Sequence, residues 1–242
     1  MTNKKGIRLL FFICTICFIF SISVTKVESD TEELKDIYNN RWSQKSWLTL
    51  GDSITKANGY QPIVKERLGF SKVDNKGING QTMAYQNTNK STYYIGNNIN
   101  YKEYDLVTIF IGTNDFRYNK KLGKLSNNNE YDQATFIGAY QLLIEIILKS
   151  NKDIDLVLIT PLQRSKDGYD INFTNEAGYK LIDYVNAIKD LGRKYSLPVL
   201  DLYSNSGFTN NTLSVYTRDN LHPNEKGYKI IAQKMYSFLL NL

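Results

Sequence analysis

The sequence predicts an α/β fold: a three-layer α/β/α sandwich built on a mainly parallel sheet. Three observations lead there. Apolar runs of four to seven residues alternate along the chain with longer stretches of helical periodicity. One of those runs, Leu106 to Ile111, is uncharged and rich in β-branched residues, as a strand covered on both faces must be. No Pro/Ser/Gly linker, internal repeat or long charge block divides residues 30–242, so one domain is the simplest organisation.

In chain order, Trp47-Leu48-Thr49-Leu50 reads as the first strand, running into Gly51-Asp52-Ser53. Ile63, Val64 and Leu68 then fall at helical spacing, and Lys72-Val73-Asp74 forms a poor second strand. Leu106 to Ile111 is the third strand. Phe136, Ile137, Tyr140, Leu143, Ile144 and Ile147 give a helix with a broad apolar face. Ile154 to Thr160 is the next strand and stops at Pro161. Leu181, Val185 and Ile188 mark another helix, and Pro198 to Leu202 the last strand. Ile231, Met235 and Phe238 share one side of a closing helix that opens at Pro223-Asn224-Glu225. Segments 82–104, 161–174 and 203–221 read as loops or short helices.

The first residues belong to a different class. Lys4, Lys5 and Arg8 precede an uncharged apolar stretch from Leu9 to Val24, the pattern of a secretory signal. The expected division is a signal over 1–29, cut after Ser29, and a folded domain over 30–242. Localisation is then extracellular, with membrane contact only through the N-terminal segment if it stays uncleaved. Both cysteines, Cys14 and Cys17, fall inside this stretch. The remainder offers no disulfide and no thiolate, and with one histidine a zinc centre is not expected. No cofactor is called for: neither Gly-x-x-x-x-Gly-Lys nor Gly-x-Gly-x-x-Gly occurs. The formal charge is +6, and half of it lies in the first 29 residues. The mildly basic remainder argues against a nucleic-acid partner, which wants concentrated basic patches.

The lone histidine carries the chemistry. His222 stands in Asp219-Asn220-Leu221-His222-Pro223. A serine hydroxyl is a weak nucleophile until a base takes its proton, and that base is usually an imidazole held by a carboxylate. One turn suffices to set Asp219 against one ring nitrogen and leave the other to face Ser53. In an open parallel sheet, ligands bind where the strands end, and Ser53 and Asn114 both follow strands. Gly51-Asp52-Ser53, Gly80 in Gly77-Ile78-Asn79-Gly80-Gln81, Gly112-Thr113-Asn114-Asp115 and Asp219-x-x-His222-Pro223 occur in this order. Together they resemble the SGNH, or GDSL-type, esterase and lipase family. The likeness runs from about Trp47 to the last helix.

The resemblance implies a three-layer α/β/α hydrolase with Ser53, His222 and Asp219 as catalytic triad. It implies an oxyanion site made by the backbone N–H groups of Ser53 and Gly80 and the side-chain amide of Asn114. Export and the polar, Tyr- and Asn-rich segments 82–104 and 203–221 point to a small-molecule or glycan ester as partner, acetyl groups on extracellular polysaccharide above all. A lipase or lysophospholipase of the same family and a non-catalytic carbohydrate-binding module are the alternatives. There is no Gly-x-Ser-x-Gly elbow, which sets the α/β-hydrolase lipases aside. Neighbouring motif residues read as structural. Asp52 satisfies N–H groups in the serine turn, and Asp115 caps the next segment or supports Asn114. Thr113 packs, Gly51 and Gly112 relieve crowding, Gly80 allows close approach of a substrate, and Pro223 fixes the start of the last helix.

Overall fold

The computed structural model of the protein describes residues 40–85 and 91–242. The expected signal over 1–29 lies outside them, as do the first residues of the expected domain. Within the described residues, no helix is long and apolar enough to cross a membrane.

Five strands form one sheet: β1 (Ser46–Gly51), β2 (Lys72–Asn75), β3 (Leu106–Phe110), β4 (Asp155–Ile159) and β5 (Val199–Leu200). Their order is β2-β1-β3-β4-β5, and all four pairings are parallel. Alternation along each inner strand divides the core into two layers. Leu48, Leu50, Val107, Ile109, Leu156 and Leu158 turn to one face, and Trp47, Leu106, Phe110, Val157 and Ile159 to the other. The first face is covered by the helices Phe136–Ser150 and Leu181–Tyr195, the second by Gln61–Leu68 and Glu225–Leu240. The three layers expected from the sequence are thus present. Thr108, polar and buried mid-strand, has its hydroxyl taken by the indole N–H of Trp47 at 3.0 Å.

With the shorter pieces included, the helices in chain order are α1 (Ser53–Lys56), α2 (Gln61–Leu68), α3 (Thr92–Gly96), α4 (Thr113–Arg117), α5 (Phe136–Ser150), α6 (Leu181–Tyr195), α7 (Leu202–Asn205), α8 (Leu213–Tyr216) and α9 (Glu225–Leu240). Their ends follow ordinary capping chemistry. Pro62 lies in the first turn of α2, and Thr135 and Asn224 cap α5 and α9 through their side chains.

Two expectations need correction. The last strand is shorter than Pro198–Leu202, because Asp201 turns the chain: its carboxylate accepts the Ser204 amide at 3.1 Å and starts α7. Pro223 does not begin the closing helix. It stands one residue before the cap Asn224 and bridges Thr217 across a narrow antiparallel turn. The weak second strand is real and polar because it is the edge of the sheet, where charged side chains discourage pairing with another chain.

Gly51 does relieve crowding, as its place in the serine motif suggests. A β-carbon there would overlap the Thr55 hydroxyl and lie 2.6 Å from the Phe110 carbonyl oxygen, which is fixed in β3. Gly51→Ala is expected to cost about 1–3 kcal/mol, read as a lower midpoint in denaturant unfolding at unchanged slope.

Candidate active site

Parallel strands end on the same side, and the site is assembled there. β1 stops at Gly51, Asp52 caps α1 by accepting the Ile54 amide at 2.9 Å, and Ser53 is the first residue of that helix. The Asp52 side chain therefore does satisfy an N–H of the serine turn. The segment after β2 hangs from the same strand, with Lys76 N bonded to Thr49 O at 2.9 Å and Ile78 N to Gly51 O at 3.1 Å. That brings Gly80 beside the serine turn. Gly80 has φ +73°, and a β-carbon on it would meet only the Tyr118 hydroxyl, at 3.5 Å. Its glycine is required by the left-handed backbone rather than by lack of space.

Asn114 arrives from β3 through Gly112 and α4. Gly112 has φ +122° and an uncrowded β-carbon position, so it too is a glycine for conformation, not for crowding. The Asn114 side chain is buried and donates from Nδ2 to the Gln81 carbonyl at 3.0 Å, which fixes it against the Gly80 turn. Asp115, in the first turn of α4, reaches beyond the local role expected of it. Its carboxylate accepts the amides of Met83 and Ala84, each at 2.9 Å, and so ties the chain beyond Gly80 to α4.

His222 sits at the end of a tight loop. Arg218 N donates to His222 O at 2.8 Å, Asn224 N to Tyr216 O at 2.9 Å, and Asn220 takes φ +59° between them. Asp219 Oδ1 accepts the His222 backbone N–H at 2.8 Å, while Oδ2 faces ring Nδ1 at 2.8 Å. On the other side of the ring, Nε2 is 3.0 Å from Ser53 Oγ. A proton on Nδ1 satisfies both contacts and leaves Nε2 as acceptor for the hydroxyl. Ser53, Gly80, Asn114 and His222 line one open cleft of about 670 Å³.

Two further residues belong here that the sequence did not reveal, because both lie in the irregular segment after β4. Lys166 Nζ is 2.5 Å from the same Asp219 oxygen that faces the imidazole. Burial alone would raise the Asp219 pKa, but the Lys166 ammonium and the His222 amide and ring outweigh it and hold the carboxyl well below the usual range. Arg164 is fully buried and donates to the Thr113 hydroxyl at 3.1 Å. Thr113 is therefore a polar anchor, not packing. The only signal in the sequence was position, directly behind the carboxyl end of a strand.

Burial pushes Asp52 up to about 7, with the Ile54 amide and Arg164 opposing and Asp115 adding to the rise; burial likewise pushes Asp115 up to about 7. A carboxyl raised on folding holds a proton in the native state that the unfolded chain has lost. Stability should therefore fall as pH rises from about 4 to about 7. Thermal melts across that window should show the decline, and Asp52→Asn should make it shallower while the Asp115 contribution remains.

The family model for GDSL-like lipases and acylhydrolases matches residues 49–230. No curated protein matches the chain. One solved structure is 27% identical, covering 83% of this chain and 98% of its own, with a TM-score of 0.76. A protein from Lactobacillus plantarum is 30% identical over 81% of this chain and 97% of its own, with a TM-score of 0.72. An acetyl xylan esterase is 25% identical over 79% and 98%, with a TM-score of 0.57. The matched span begins in the strand before the serine turn and ends beyond the histidine loop, and the chain belongs to the GDSL-like lipase/acylhydrolase family.

Proposed function

We propose that the protein is an exported serine esterase that removes short acyl groups, acetyl above all, from glycans or small esters. The observation that carries this reading is the unbroken line Ser53 Oγ–His222 Nε2 at 3.0 Å and His222 Nδ1–Asp219 Oδ2 at 2.8 Å, open to a cleft. In the proposed sequence, Ser53 Oγ attacks the ester carbonyl as its proton passes to Nε2. Negative charge gathers on the former carbonyl oxygen, facing the N–H groups of Ser53 and Gly80 and the Asn114 amide. An amide NH₂ has two hydrogens, so Asn114 can hold Gln81 with one and meet the oxyanion with the other. The imidazolium returns its proton to the departing alcohol, leaving an acyl group on Ser53. Water, deprotonated by the same ring, then releases the acid and the free serine.

The preference for a short acyl group rests on the cleft. Its apolar lining comes from Ala57, Leu221 and the Tyr118 ring, too little to seat a fatty chain. The similarity to an acetyl xylan esterase points the same way. Export rests on the leader-like residues 1–29, with a mature start at Asp30.

Ser53→Ala should lower kcat on acetyl esters by at least about 10³-fold while leaving the melting curve in place. A fluorophosphonate should label the unmodified protein once, and peptide mapping should find the adduct on Ser53. Near-normal turnover by Ser53→Ala would end the serine reading. Asn114→Ala should lower kcat by about 10²-fold with little change in KM, because its contact strengthens as the oxyanion forms. Stopped kcat measurements alongside thermal melts separate this from a purely structural loss.

A further inference from the structure

The cleft beside Ser53 carries charge of one sign. Lys56, Arg117 and Arg218 line it, and no carboxylate does. Each arrives with a reacting group. Lys56 ends the helix that Ser53 begins, Arg117 ends the helix that holds Asn114, and Arg218 opens the loop that holds His222. Arg117 reaches Asp167 at 3.7 Å across a half-exposed gap. Lys56 and Arg218 are exposed, and neither takes part in any ion pair among the described residues. The chain as a whole is not strongly basic, since half of its formal +6 lies in the first 29 residues. The cleft thus has three cations and no carboxylate in its lining, on a chain whose formal charge beyond residue 29 is only mildly positive.

A neutral acetyl ester has no charge in its ground state for these cations to seat. A cleft lined by one sign of charge focuses the field and concentrates ligands of the opposite sign. The guanidinium fork of Arg218 matches the planar geometry of a carboxylate or the oxygens of a phosphate. We propose that the ester hydrolysed here bears an anionic group, a carboxylate or a phosphate, near the scissile bond, seated by Lys56 and Arg218 with Arg117 behind them. This rests on the serine-esterase reading of the same cleft.

Matched aryl acetates test it on the purified protein. 4-Acetoxybenzoate is compared with neutral 4-acetoxybenzamide, and 4-acetoxyphenyl phosphate with neutral 4-acetoxyanisole. The readout is the ratio of kcat/KM, anionic over neutral. The ratio should exceed about 10 at low salt and fall as ionic strength rises. It should drop at least about fivefold in Lys56→Gln/Arg218→Gln, and the salt dependence of the unmodified protein gives the same answer should that variant fail to fold. The larger of the two ratios identifies carboxylate or phosphate as the preferred anion. Ratios near one, or ratios that neither salt nor the double variant moves, overturn the proposal and leave the esterase intact. No turnover of any of the four esters, with no fluorophosphonate adduct on Ser53, overturns the esterase reading and this proposal with it.

Discussion

The parallel register between β1 and β3 sets Gly51 level with Phe110, and the geometry of the site follows from that alignment. Two neighbouring strands that run the same way deliver their next residues to one edge of the sheet. From β1 the chain enters the Ser53 turn, and from β3 it enters the turn that holds Asn114. Crossover helices must lie over the faces of such a sheet, so the edge at the strand ends remains open. Two layers of buried apolar side chains support that edge from both faces. The loops above it are held by backbone hydrogen bonds and by the side chains of Asp52, Asn114, Asp115 and Arg164.

The central frame was legible because buried strands leave little choice of residue. Leu106 to Phe110 has to be apolar on both faces, and the periodic apolar positions of α5, α6 and α9 have to cover it. The motif residues were legible as types in order. What was not legible was partnership across the chain. Thr113 reads as a packing residue in the sequence, and only the fold brings the buried Arg164 to its hydroxyl. Asp115 was expected to act locally, but its carboxylate spans to Met83 and Ala84. Nothing in a linear pattern distinguishes a glycine needed for space from one needed for a positive φ. Gly51 is the first kind, and Gly80 and Gly112 are the second. Lys166 was invisible for the same reason: a lysine in an irregular segment is ordinarily solvated, and only the fold brings its ammonium to Asp219.

The charged groups fall into two sets with different surroundings. Asp52, Asp115 and Arg164 lie under the site, out of water and engaged with backbone or hydroxyl groups. Their work is to hold turns in place, and the low dielectric around them makes each bond firm and each lost partner costly. Lys56, Arg117 and Arg218 lie above it, in contact with solvent, and only Arg117 of the three has an ion-pair partner among the described residues. Asp219 stands between the two sets. It is partly exposed, yet it is fixed by three donors, the Lys166 ammonium and the His222 amide and ring.

Ser53 and His222 are 169 residues apart in the chain, yet their side chains meet at 3.0 Å. That separation spans every strand but the first. The pair can close only when β1, β3 and β4 are registered and α9 has docked against α2, bringing the histidine loop to the serine turn. Ser53 is made early in synthesis and His222 almost last. A partly synthesised chain thus holds Ser53 without the imidazole beside it, and the contact forms only once the histidine loop has docked. Topology alone delays the meeting of the two side chains.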